Sequence, residues 1–173
     1  MEYKFRNLKA TEIDCRVSQI NEKGLSLLLY KDARVDMDIL DETVGPMNWQ
    51  RTHTRDNANC VIEIWDEDKK QWIGKEDTGT ESFTEKEKGL ASDSFKRAGF
   101  NWGIGRELYT APFIYIPILD AKNEANFALE DKNGKKTTKT KFYVEAIEIT
   151  NKEITGLAIK NNKGKRVFVY KKG

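Results

Sequence analysis

The segment Lys96–Tyr109, KRAGFNWGIGRELY, sets the adjacent cations Lys96 and Arg97 beside the aromatics Phe100 and Trp102 and a further cation, Arg106. Adjacent cations near the end of an apolar-striped helix are held on a rigid element, and what they can face is an anion. A polyphosphate such as DNA or RNA is the first ligand this chemistry suggests. A basic pair is also the ordinary make-up of a solvated helix face, so the pair alone decides nothing. A second chemistry lies in the carboxylates Glu63, Asp66, Glu67, Asp68, Glu76 and Asp77, since paired acids can hold magnesium for phosphodiester hydrolysis. Most of these fall at a hairpin turn, where acids are common. His53 is the only histidine, which excludes multi-histidine metal chemistry from one chain. No GxxxxGK[ST] loop is present, and Gly103-x-Gly105 lacks the third glycine and the preceding strand of a dinucleotide site, so no ATP machinery is visible. Trp49, Trp65, Trp72 and Trp102 are stacking surfaces for unpaired bases, each worth about 1–3 kcal/mol where used. Trp102, however, falls on the core stripe of its helix.

The elements that must position these groups follow from spacing. Ile13, Val17 and Ile20 share one face of a short helix over about residues 10–21. Leu25–Lys31 reads as a strand. Asp32 caps a second helix with Val35, Ile39 and Leu40 inward, ended by Gly45-Pro46. Trp49, Arg51, His53 and Arg55 alternate with polar residues. Cys60, Ile62 and Ile64 then share a face opposite Val61, Glu63 and Trp65, and Trp72–Thr78 completes an antiparallel meander. The principal helix opens on Thr84-x-x-Glu87, which has the form of a capping box. Its inward stripe is Ala91, Phe95, Ala98 and Trp102, so Lys96 and Arg97 lie beside that stripe and reach outward. Gly99 costs about 1 kcal/mol against alanine in a helix interior, which a close backbone approach or a bend would justify. Gly103 and Gly105 end the helix before an extended run, Pro112–Leu119. Residues 121–140 read as a mobile loop. Lys141–Thr150, Glu153–Lys160 and Arg166–Lys171 read as strands, the last two joined by the turn Asn161-Asn162-Lys163-Gly164. The expected class is α+β, an antiparallel β-meander packed against helices with a C-terminal β appendage. One domain spans residues 1–173: a core over about 8–120, the loop, and the appendage over about 141–173.

Composition narrows the classes further. A chain of 173 residues, 38% hydrophobic and 34% charged, can bury one core under an ionic surface. No segment approaches the roughly 20 apolar residues of a membrane span, and MEYKFRNLKA has no apolar h-region. Cys15 and Cys60 form no CxxC, which points to a reducing compartment, the cytoplasm, and away from structural zinc. Net charge is only +2, but eight acids lie between Asp66 and Glu87, while Lys132–Lys141 holds five lysines and no acid. Lys160–Gly173 holds five lysines and Arg166, again with no acid. Segregation of this kind can build a basic groove on a nearly neutral protein, or simply keep loops soluble.

The order of an early helix with Arg16, then LLLYKDARVDMDILDETVGPMNW, a three-strand meander and a helix ending KRA resembles the annealing domain of the Rad fifty-two superfamily of recombination proteins. Lys96-Arg97-Ala98-x-x-x-Trp102-Gly103-Ile104-Gly105-Arg106-x-Leu108-Tyr109 is similar to the bacterial and phage branch in particular, and the resemblance covers about residues 8–116. It implies ATP-independent annealing of complementary single strands in homologous recombination and DNA repair. It also implies an oligomeric ring with a positive outer groove, no cofactor and no catalytic residue. The positions matching the family's groove cations are Arg16, Lys96 and Arg97. Lys69 or Lys70 corresponds loosely to an outer DNA contact, and Arg55 is placed by strand position alone. The implied partners are single-stranded DNA, further copies of the chain, and a single-strand-binding protein or recombinase, with no membrane; if phage-encoded, the chain works in a bacterial host's cytoplasm. The sequence departs from eukaryotic members at Gly99-Phe100, where they carry a further arginine. It also lacks their long partner-binding tails. The competing expectations are a metal-dependent nuclease built on the acidic meander and a passive single-strand-binding barrel.

Overall fold

The computed structural model describes residues 2–80 and 86–173. The expected capping box at Thr84 lies outside the described residues. In chain order, strands β1 (Ile13–Ile20) and β2 (Gly24–Lys31) precede helix α1 (Ala33–Val44). Strands β3 (Trp49–Thr54), β4 (Asn59–Asp66) and β5 (Gln71–Thr78) lead to helix α2 (Lys86–Asn101). Then come β6 (Ile114–Pro117), β7 (Glu130–Lys132), β8 (Lys135–Thr137), β9 (Phe142–Thr150), β10 (Glu153–Asn161) and β11 (Arg166–Lys171). The class is α+β with antiparallel strands. The chain divides into two compact units, Met1–Asn7 with Lys31–Arg106 and Leu8–Tyr30 with Glu107–Gly173.

The first unit contains the expected meander, ordered β3-β4-β5. Alternation along β4 buries Cys60, Ile62 and Ile64 on one face, and α2 packs on β4 and β5 with Phe95 and Ala98 fully buried. Helix α1 starts as its sequence requires: the Asp32 side chain accepts from the Arg34 amide at 2.7 Å. It ends at Gly45, whose φ of 88° suits glycine. Ile39 and Leu40 are its buried stripe.

A charged pair sits inside this unit. Lys31 and Asp36 are 2% and 0% exposed, with the ammonium 2.7 Å from Asp36 Oδ1. The Lys31 ammonium also donates to the Ile104 carbonyl at 2.8 Å and lies 3.9 Å from the centre of the Phe100 ring. The close approach that Gly99 calls for is made here. A methyl group on Gly99 would stand 3.2 Å from Asp36 Oδ2 and 3.3 Å from the Lys31 nitrogen.

The second unit is a six-stranded sheet ordered β11-β10-β9-β1-β2-β6, whose two edge strands approach each other. Three expectations are corrected in it. Residues 13–20 form a strand, not a helix. The four-and-three spacing of Ile13, Val17 and Ile20 is no inward stripe, since Ile13 is buried but Val17 is 40% exposed. All three are β-branched, which suits a pleated strand better than a helix. Residues 121–140, expected as a loop, contain secondary structure. They hold the β7–β8 hairpin about Asn133-Gly134, with φ of 55° and 81°, the turn this dipeptide favours. Phe127 is buried edge-on against Phe142 at 6.4 Å, and the Asn126 side chain donates to the Pro117 carbonyl. Nor are β9–β11 an appendage: β10 supplies Ile154, Leu157, Ala158 and Ile159 to the unit's core. Register shifts between Ile154 and Gly156 and between Ala158 and Ile159 break strict alternation and let consecutive β10 residues face inward.

Burial pushes the Asp36 carboxyl from an ordinary 3.8 up to about 6, while Lys31 and Lys96 pull it down and Asp32 pushes it up further. A carboxyl that holds its proton more firmly in the fold than in the unfolded chain stabilises most at low pH. That contribution is lost as pH rises through the window from 3.8 to about 6. Urea unfolding of wild type and Asp36→Asn across that window should therefore show the stability difference moving against wild type as pH rises. A pH-independent difference would show that Asp36 titrates like an exposed carboxylate.

Candidate nucleic-acid interface

Helix α2 is anchored through Phe95 and Ala98, which are wholly buried, and this leaves Lys96 and Arg97 partly exposed on its flanks. Arg97 does not stand alone. Its Nε donates to Asp93 Oδ2 at 2.8 Å, one turn earlier, and its side chain is 40% exposed. The same Asp93 oxygen accepts from the Thr80 amide at 2.7 Å and the Thr80 hydroxyl at 3.2 Å. These contacts hold Asp93 below the usual carboxylate range in spite of its burial. Lys96 forms no ion pair among the described residues and contributes to the field on buried Asp36.

The structure gathers some of the expected cations and separates others. Arg55 occupies the β3–β4 connection with a φ of 52°. Ser94, one turn before Arg97, donates to the Asn57 carbonyl in the same connection at 2.9 Å, so the α2 pair and Arg55 lie toward one end of the meander. Lys69 and Lys70 lie in the β4–β5 turn at the other end of β4, eight residues and about 26 Å away. Both are exposed, Lys69 3.6 Å from Asp66 and Lys70 paired with Glu67. Arg16 belongs to the second unit, exposed on β1, with its guanidinium 4.8 Å from the centre of the Tyr30 ring.

Much of the Lys96–Tyr109 motif is employed in shaping the chain. Arg106 donates to the Phe100 carbonyl at 2.8 and 3.1 Å and to the Asn101 carbonyl at 3.0 Å, satisfying the end of α2. Gly103 and Gly105 turn the chain with φ of 95° and 71°. Lys75 lies over Trp102 at 4.9 Å, and the Trp102 indole donates to the Ile62 carbonyl at 2.9 Å. Arg51 lies over Phe95 at 4.5 Å. Trp49 stacks on Phe95 and donates to Asp41, while Trp65 and Trp72 meet edge to face at 5.6 Å. Of the tryptophans, Trp72 is the exposed one, at 38%.

The acids expected for hydrolysis are dispersed among local partners. Glu63 accepts from Gln50, Glu76 from Asn59, Asp77 from Asn101 and Glu67 from Trp65. Asp66 accepts from the Asp68 and Lys69 amides and so closes the turn. Among the described residues no three His, Cys, Asp or Glu side chains converge on a metal-sized site. His53 is half-buried with Nδ1 3.4 Å from the Ser94 hydroxyl, and burial together with Arg51 lowers its pKa. No helix among the described residues is long and apolar enough to cross a membrane.

The chain matches no family model, no curated protein and no solved structure.

Asp93 accepts from Thr80 as well as from Arg97, which separates its mutational cost from that of the part-exposed Arg97. Arg97→Ala should change unfolding free energy by less than about 1 kcal/mol, as for a part-exposed pair. Asp93→Ala also strips the Thr80 amide of its charged acceptor and should cost about 2 kcal/mol. Equal costs in chemical denaturation would contradict this reading of Asp93.

Proposed function

We propose that this chain is an ATP-independent single-strand annealing protein of the Rad fifty-two type. It binds single-stranded DNA as an oligomeric ring and pairs complementary strands in recombination and repair. The observation that carries the reading is the resemblance of Lys96–Tyr109 to the bacterial and phage branch. Its support lies in the setting of that segment: a helix fixed on an antiparallel meander, with Lys96 and Arg97 on its flanks.

The physical account needs no covalent step. Cations on a rigid helix neutralise backbone phosphates and release counterions, which gives affinity without sequence preference. Arg97, held by Asp93, exchanges part of that pairing for phosphate. One protomer offers few such contacts, so useful affinity comes from repeating them around an assembly. A strand gripped by its backbone keeps its base edges free, and Watson–Crick pairing selects the partner.

Lys96→Ala combined with Arg97→Ala should weaken binding of a fluorescent oligonucleotide at least tenfold in an anisotropy titration near 0.1 M salt. The slope of log affinity on log salt should fall by about 1.4, the loss of two single-strand phosphate contacts. Circular dichroism should show the fold intact. Unchanged affinity and slope would remove these two residues from the interface.

A further inference from the structure

The second unit carries a basic and aromatic face built largely by residues after 140, outside the stretch that carries the resemblance. Strands β1 and β9 meet at one register pair, Asp14 opposite Tyr143. Tyr143 is in turn opposite Lys160 on β10, and Lys160 opposite Arg166 on β11. Directly paired residues share a face, so these four form a row across the sheet, three inter-strand spacings or about 14 Å long.

Arg16 lies two residues after Asp14 on β1, and Lys141 two residues before Tyr143, just ahead of β9. Both border an open cleft of about 460 Å³ whose walls include Tyr143. Tyr143 is 49% exposed, although Phe142 and Val144 on either side of it are buried. Arg16, Lys141 and Lys160 form no ion pairs among the described residues. Arg166 is held 2.7 Å from Glu145, and Asp14 is the acid of the row. Cations without carboxylate partners around an exposed phenol are what an unpaired polynucleotide requires: charge for the phosphates and a flat ring for a base. A duplex keeps its bases stacked on one another and offers the ring nothing.

We propose that this cleft is a second single-strand contact, with Arg16 and Lys141 on phosphates, Tyr143 stacking a base and Lys160 extending the track. The proposal rests on the annealing reading, but its residues 141–160 are independent of the motif that suggested that reading.

The test uses the full chain. Lys141→Ala with Tyr143→Ala should raise the Kd for a fluorescein-labelled oligothymidylate at least fivefold, and lower the salt slope by about 0.7 for the phosphate lost. Tyr143→Phe in the otherwise native chain should keep near-native affinity, since the ring and not the hydroxyl stacks. Circular dichroism and thermal melting check that the variants fold. An oligonucleotide carrying 5-iodouracil should crosslink under ultraviolet light to a peptide containing Tyr143. If wild type binds single strands while the double variant binds as tightly and crosslinks map elsewhere, the cleft proposal falls and the annealing reading stands. A wild-type protein that binds no single strand overturns both, and equal affinity for duplex overturns the stacking role.

Discussion

A buried ammonium organises the first unit. Lys31 is shielded from water, and a charge so placed is tolerable only with close, well-aimed partners. Its partners include the Asp36 carboxylate, the Ile104 carbonyl and the face of Phe100. Removing one member of such a pair typically costs about 3–5 kcal/mol, because the other charge stays buried alone. Several features of Lys96–Tyr109 follow from that requirement. Gly99 lets α2 approach the pair without a side chain in between. The chain must then reverse so that the Ile104 carbonyl returns to Lys31, and Gly103 and Gly105 permit this with positive φ. Arg106 closes the exposed helix end. The segment is thus a structural latch, and the same latch fixes the helix that displays Lys96 and Arg97.

Charge in this protein is largely spent locally, which sharpens any argument about ligands. In the first unit Arg51 and Lys75 lie on aromatic rings, Arg106 caps a helix, and Lys69, Lys70 and Arg97 sit beside carboxylates. Such surface pairs are weak and open readily to a phosphate. Cations without a carboxylate partner among the described residues are the better guide to where a polyanion lies; Lys96 on α2 and Arg16, Lys141 and Lys160 in the second unit are among them, with Arg16 resting on the Tyr30 ring.

The meander, both helices, the Asp32 cap and the hairpin at Asn161–Gly164 were legible in the sequence, because each combines a period with a stop signal. Residues 13–20 were misread because three apolar residues happened to fall at helical spacing in a strand held by its neighbours' backbones. The β7–β8 hairpin was missed because its strands are polar, although Asn133-Gly134 marked the turn. The Lys31–Asp36 pair was missed because charged residues were assumed to be solvated. Both carried a signal: Asp36 lies three and four residues before Ile39 and Leu40 on the buried stripe, and Lys31 continues the inward face of Leu25 and Leu27. Of the expected interface, the α2 pair was readable from spacing, whereas its ion pair with Asp93 and the assignment of Arg16 to another unit depend on tertiary structure.

The central claim is that the protein grips the backbone of single strands and leaves their bases free to pair. Its most direct measurement is the rate of duplex formation between two complementary oligonucleotides labelled as a fluorescence energy-transfer pair, without ATP and with divalent ions chelated. The account predicts pairing several-fold faster than for the free strands, with acceleration fading as salt rises. Pairing slowed or unaltered by the protein would contradict it.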